Sequence, residues 1–234
     1  MRLSIIVPVY NERDSIADLL AQVMAADVEK QLVVVDDGST DGTTEWLEEW
    51  AADQPAWVQC LRHPRNRGKG AAVRTALAAV TEDWVVIQDG DLEYDPRDYT
   101  KLLEAARSTP AKVVYGSRFL GGNPGMFFTQ RAGNVILTRL TNLLYGSSLT
   151  DMETCYKAMT RDVVDRLDLQ SRGFGMEPEI TCKVARLRAR IFEVPISYSG
   201  RTYDEGKKIG LQDAFVALWT ILRFAHWTPP PRER

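Results

Sequence analysis

Apolar positions recur along this chain in two alternating rhythms. Short β-branched runs, "LSIIVPVY" at 3–10 and "LVVV" at 32–35, have strand length and almost no polar positions, as strands buried on both faces do. Between them Ile16, Leu19, Leu20 and Val23 recur at helical spacing, with Asp14 expected as the cap. Trp46, Leu47 and Trp50 predict a second helix, and "WVQCLRH" (57–63) a third strand. "NRGKGAAVRTALAAV" (66–80) reads as a Gly-rich turn entering an Ala-rich helix, and "DWVVIQDGD" (83–91) as a fourth strand. Such alternation predicts an α/β fold, a mostly parallel central sheet flanked by helices on both faces.

After Pro96 the rhythm loosens. Helices are expected over 97–108, 131–145 and 177–189, and strands at 112–119, 155–160 and 191–198. A Gly- and Phe-rich loop spans 120–130, a second loop 199–210. The last helix carries Leu211, Phe215, Leu218, Trp219 and Leu222. No internal repeat or low-complexity segment interrupts this order.

Composition narrows the class. The 234 residues fit one domain. A net charge of −3 supplies no basic field for a nucleic-acid partner. Cys60, Cys155 and Cys182 lie far apart, with neither zinc spacing nor a disulfide framework, so a reducing, cytoplasmic setting is expected. The first apolar run ends at Pro8 and reads as a strand rather than a signal peptide. No apolar run reaches the ~20 residues that cross a bilayer.

Ligands of open parallel sheets bind outside the carboxyl ends of the strands. Three predicted strands end in polar clusters: "YNE" (10–12), "DDGSTD" (36–41) and "DGDLE" (89–93). These are expected to converge at one crevice. Neither G-x-G-x-x-G nor G-x-x-x-x-G-K-[ST] is present, which argues against a dinucleotide dehydrogenase and a P-loop enzyme. Asp89, Asp91, Glu93 and Asp95 crowd four carboxylates into seven positions. A hard divalent cation, Mg²⁺ or Mn²⁺, would relieve that repulsion and leave coordination sites for phosphate oxygens. The competing reading is an acidic turn whose carboxylates accept backbone N–H groups.

Together "SIIVPVYNE", "VVVDDGSTDGT", "NRGKGAA", "QDGDLEYDP" and "VYGSRF" resemble, in order and spacing, the family-two glycosyltransferases. "RAGNVILTRLTNLLYG", "TDMETCYKAMTRDVV", "GFGMEPEIT" and "PISYSGRTYDEGKKIG" resemble its dolichyl-phosphate or polyprenyl-phosphate hexosyltransferase branch. The resemblance implies a GT-A fold over 1–227: a nucleotide-sugar and metal half (1–96), an acceptor half (97–210) and an amphipathic helix (211–227), followed by a flexible tail (228–234). It implies a nucleoside pocket lined by Pro8, Tyr10, Asn11 and Glu12, with Asp36 or Asp37. The acidic metal motif falls on Asp89-Gly90-Asp91, and Glu93 occupies a third metal position that is often Gln in archaeal lipid-phosphate members. Implied ligands are Mg²⁺ or Mn²⁺, GDP-mannose or UDP-glucose as donor, and a polyprenyl or dolichyl phosphate as acceptor.

A hydroxyl acceptor needs a general base; a phosphate monoester is already ionised and needs cationic anchors. The resemblance places Arg118, Arg131, Arg201 and Lys207 near the phosphates, with Lys208 as an alternative to Lys207. Their other reading is as solvated surface charges. Asp151 or Glu177 would fill the role of base; Glu177 and Glu179 also fit as acids in the first turn of a helix. Lys69 would meet phosphate at a helix N-terminus, although close backbone packing explains the neighbouring glycines equally well. His63 and His226 form no constellation. A lipid acceptor implies peripheral contact at the inner face of a membrane, or a membrane partner. Candidate contacts are Met126, Phe127 and Phe128 and the last helix, whose apolar face equally suits core packing.

Overall fold

The computed structural model describes residues 1–121, 125–200 and 211–230. Seven strands, β1 (Leu3–Val9), β2 (Lys30–Asp36), β3 (Val58–Arg62), β4 (Trp84–Ile87), β5 (Val113–Ser117), β6 (Lys157–Thr160) and β7 (Ile191–Pro195), form one sheet of order β3-β2-β1-β4-β6-β5-β7. β6 runs antiparallel to both neighbours, β4 and β5; all other pairings are parallel. The α/β alternation expected through residue 91 is therefore present, and the looser second half adds the reversed strand.

The helices are α1 (Ile16–Ala25), α2 (Thr43–Ala52), α3 (Lys69–Leu77), α4 (Tyr99–Ser108), α5 (Phe128–Tyr145), α6 (Arg161–Val164), α7 (Met176–Arg186) and α8 (Leu211–Arg223). α1 buries Ile16, Leu19, Leu20 and Val23, the residues spaced for it. Each such aliphatic side chain contributes about 1.5–3 kcal/mol. Its cap differs from the one expected. Ser15, not Asp14, holds the N-cap position, and its hydroxyl donates to Glu12 Oε2 at 2.9 Å. The chain leaves β1 through the Glu12 turn, so the helix begins one residue later than the acid at 14.

β1, β2, β4 and β5 are buried along nearly their whole length and form the main core with α1, α4 and parts of α3 and α7. α5 and α8 stand apart from it. They enclose a smaller cluster of Met152, Cys182, Ile221 and Phe224, closed by Tyr145, whose hydroxyl donates to the Ile221 carbonyl at 2.6 Å. Among the described residues no helix is long and apolar enough to cross a membrane. Of the expected loop at 199–210 and tail at 228–234, residues 201–210 and 231–234 lie outside the described residues, as do 122–124.

Candidate active site

Parallel register brings three strand ends level. Val9 pairs with Asp36, and Gln88, just past β4, donates its N–H to the Ile6 carbonyl. Gln88 is fully buried, and its side-chain carbonyl accepts from Tyr99 (2.5 Å) and Tyr156 (2.6 Å). These two bonds fix the peptide from which Asp89 projects. Asp91 Oδ1 accepts the Glu93 N–H at 3.1 Å and closes the turn. A Cβ at Gly90 would lie 3.0 Å from the Pro8 carbonyl, so a side chain here would push this turn off β1 by a few tenths of an ångström.

The strand ends enclose a cavity of ≈ 310 Å³ walled by Pro8, Tyr10, Glu12, Asp37, Lys69, Asp89, Gly90, Asp91 and Glu93. Two expected members are off this wall. Asn11 adopts φ 54° and accepts the Thr40 N–H through Oδ1 at 2.8 Å. Asp36 accepts from Ser39 and from the Thr44 hydroxyl. Both shape the loop behind the wall, so of Asp36 and Asp37 it is Asp37 that faces the cavity. Asp37 accepts the N–H groups of Arg67 and Gly68 and pairs with His63 Nδ1 at 2.6 Å. His63 Nε2 in turn meets the Thr75 hydroxyl at 2.8 Å. The sequence carried no signal for this positioning role, because a lone histidine belongs to no motif.

Lys69 brings positive charge to Asp89, as Arg97 does to Asp95. Its ammonium lies 2.5 Å from Asp89 Oδ1 and 3.0 Å from Glu177 Oε1. Lys157, fully buried, lies 2.5 Å from Glu177 Oε2 and also donates to the Thr154 carbonyl. The result is a chain of alternating charge, Asp89–Lys69–Glu177–Lys157, half-buried at its Asp89–Lys69 end and buried at Glu177 and Lys157. Burial opposes both charges of the first pair. The Lys69 ammonium outweighs it and holds the Asp89 carboxyl below its ordinary range. The Asp89 carboxylate, foremost among the groups around Lys69, likewise raises the lysine well above its own.

Lys69 reaches this position because its flanking glycines pack against backbone. A Cβ on Gly68 or Gly70 would collide with the carbonyl of Arg172 or Ser171, and the Gly70 N–H donates to the Arg172 carbonyl at 2.7 Å. Gly70→Ala is therefore expected to destabilise by about 1–3 kcal/mol, as overpacking does, which a urea or thermal unfolding curve would read.

A second cavity of ≈ 280 Å³ adjoins the first, sharing Lys69, Asp89, Glu93, Gln130 and Phe174. Arg118, Tyr94, Tyr198, Glu153 and Glu177 line it, with Thr129, Asn134 and Leu137 of α5 and Ala214 and Ala217 of α8. Arg118 forms a two-pronged pair with Asp151, Nε to Oδ2 at 2.7 Å and Nη2 to Oδ1 at 2.8 Å. Its guanidinium lies 5.2 Å from the Tyr198 ring centre. Asp151 is fully buried and absent from the cavity wall, so it acts on the cavity through Arg118. Arg131 is exposed in the first turn of α5, and its guanidinium and that of Arg118 each lie 5.9 Å from the Phe119 ring centre. Glu93 accepts from the Tyr198 hydroxyl at 2.8 Å, tying the acidic turn to the second half of the chain. Glu179 is a buried first-turn acid that accepts the N–H groups of Gln170 and Ser171 and pairs with Lys183. Arg201, Lys207 and Lys208 lie outside the described residues.

Among the described residues no three His, Cys, Asp or Glu side chains form a ready-made metal cage. Mg²⁺ and Mn²⁺ sites at diphosphates do not require one, since one or two carboxylates suffice when phosphate oxygens complete the shell. Asp89 and Asp91, hard oxygen donors on the wall of the first cavity, fit that arrangement, with Glu93 at its edge.

The sequence profile of Glycosyl transferase family 2 matches residues 4–168. The chain is 34% identical over 222 residues to an undecaprenyl-phosphate mannosyltransferase of Micrococcus luteus, covering 90% of this chain and 88% of that one. It is 28% identical to the dolichol-phosphate mannosyltransferase of Pyrococcus furiosus, covering 97% of itself but under two thirds (64%) of that longer protein. Among solved structures, glucosyl-3-phosphoglycerate synthase of Mycobacterium tuberculosis, crystallised with Mn²⁺, uridine diphosphate and glucosyl-3-phosphoglycerate, superposes with a TM-score of 0.72 at 20% identity, over 96% of this chain and 80% of that one.

Proposed function

From the premise that this chain belongs to glycosyl transferase family 2 and has the GT-A fold, we propose that it transfers a hexose from a nucleoside diphosphate sugar to a polyprenyl phosphate, inverting the anomeric centre. The observation that carries this reading is the pair of cavities joined at Asp89, Lys69 and Glu93. The first is acidic and sits at the ends of β1, β2 and β4, where a nucleotide belongs in such sheets. The second has Arg118 in its wall and is built between α5 and α8. These helices also expose Phe128, Ile136, Leu143, Phe215 and Trp219, with Leu143 81% and Phe215 72% accessible. The second cavity's wall sets the cations Lys69 and Arg118 among the carboxylates Asp89, Glu93, Glu153, Glu177 and Asp213; an anionic head is received at those two cations, and a lipid tail suits the adjoining apolar side chains. The names of the Micrococcus and Pyrococcus relatives support the lipid phosphate and favour mannose.

In this reading Tyr10, Glu12 and Asp37 line the nucleoside pocket. Asp89 and Asp91 hold the divalent cation, which neutralises the departing diphosphate when bound. Lys69 adds a cationic group at the same point, and Arg118 with Arg131 orients the acceptor. The two carboxylates considered as bases are engaged, Asp151 by Arg118 and Glu177 by Lys69 and Lys157. That favours an acceptor already ionised at neutral pH. The chain's contribution is alignment and charge, with no covalent enzyme intermediate. Direct displacement gives a β-linked product from an α-linked donor. NMR of the purified glycolipid checks this; an α-linked product contradicts inversion. EDTA is expected to abolish transfer, and added Mn²⁺ or Mg²⁺ to restore it; full activity in EDTA contradicts the metal assignment.

The exposed apolar face predicts weak vesicle binding. Trp219→Ser is expected to weaken binding to anionic vesicles about tenfold or more, the range of one buried large side chain, with Tm preserved because Trp219 is 66% exposed. Flotation of wild type and variant measures it.

A further inference from the structure

Glu153 has no part in the reading above, yet it lines the second cavity. Its Oε1 is one of three buried side-chain atoms without a hydrogen-bond partner among the described residues. The cations nearest it are already committed: Arg118 pairs with Asp151, and Lys157 pairs with Glu177, which also binds Lys69. An ionised Glu153 would face two further carboxylates, Asp151 and Glu177, with Cys182 behind it. Buried carboxylates left in that position take up a proton rather than remain charged. A protonated carboxyl gains a hydrogen-bond donor that the carboxylate lacks.

We propose that Glu153 recognises the acceptor: with Oε1 sealed from solvent, the neutral carboxylic acid donates a hydrogen bond through its other oxygen to the anionic head that enters the second cavity. This rests on the reading of that cavity as the acceptor site. An anion there meets a donor when Glu153 is protonated and a like charge when it is not, so its binding depends on pH. Burial, reinforced by Glu177 and Asp151 and opposed by Lys157 and Arg118, pushes the carboxyl up to about 7, inside the working range.

Two measurements test this. The first is the pH dependence of the KM for undecaprenyl phosphate, in wild type and in Glu153→Gln, an isostere that keeps a donor and cannot ionise. The wild-type KM is expected to rise by up to about tenfold per pH unit above about pH 7, and that of Glu153→Gln to stay flat. A variant whose KM follows the wild-type curve overturns the proposal. So does a large fall in kcat at unchanged KM, which would make Glu153 a general base. The second is a carbon-13 titration of the Glu153 carboxyl in the intact protein, assigned by its loss in Glu153→Gln. It is expected to titrate near neutrality and to move upward with undecaprenyl phosphate. An ordinary glutamate titration, or one unmoved by the lipid, overturns the proposal whatever the turnover. An upward shift without any sugar transfer upholds acceptor recognition by Glu153 and contradicts the proposed transferase reaction instead.

Discussion

Asp91→Asn is expected to lower hexose transfer by about 10²–10³-fold, the range seen when one preorganised electrostatic group is removed from a reacting centre. Asp91 faces the donor cavity from a turn closed by its own contact with the Glu93 N–H. An asparagine keeps an oxygen for that contact and removes the charge. The effect should appear in kcat and in the metal concentration needed for half-activation. Asp89→Asn makes an instructive comparison. Asp89 is also the counter-charge of Lys69, 2.5 Å away, so its loss leaves a half-buried ammonium sharing Glu177 with Lys157. That variant should lose stability as well as rate, and differential scanning calorimetry alongside the rate assay separates the two.

Asp151→Ala is expected to destabilise the fold by about 3–5 kcal/mol, the consequence of leaving a buried charge without its partner. Asp151 accepts the Arg118 backbone N–H as well as both prongs of its guanidinium, and Arg118 itself is only 6% exposed. Urea unfolding measures the loss. The double variant Arg118→Met with Asp151→Leu should recover part of it, since apolar replacement of a buried pair is often neutral while the residue-118 backbone N–H stays without its acceptor, yet it should bind acceptor poorly. A stable, fully folded Asp151→Ala protein whose kcat alone collapses would instead make Asp151 the base, and would favour a hydroxyl acceptor.

Much of this arrangement was legible in residue patterns. The apolar runs at 3–9, 32–35 and 84–87 are buried on both faces, so each reads as a strand without tertiary context. Their polar endings mark the crevice because parallel strands with level register must end together. The second half was harder to read. β6 is four residues long and reversed, and nothing in "KAMT" encodes strand direction. The partner of the acidic turn was also hidden. Lys69, Asp89 and Glu177 are separated by 20 and 88 positions along the chain, and only the packing of Gly68 and Gly70 on residues 171–173 brings them together. Gln88, Tyr99 and Tyr156 look like ordinary strand and core residues, although their hydrogen bonds hold the turn. Of the two acids in "TDMET", the pattern drew attention to Asp151, while Glu153 reaches the cavity wall. The choice turns on which way the 150–154 segment faces, a tertiary property.

The central claim is transfer to a lipid phosphate. The most direct measurement incubates the purified protein with Mn²⁺ and radiolabelled GDP-mannose or UDP-glucose, with and without undecaprenyl phosphate, and compares sugar in the organic phase with nucleotide released. The account predicts label in the lipid that requires the acceptor, matches nucleotide release one for one, and vanishes with EDTA. Nucleotide release that proceeds with no label in the lipid would contradict it.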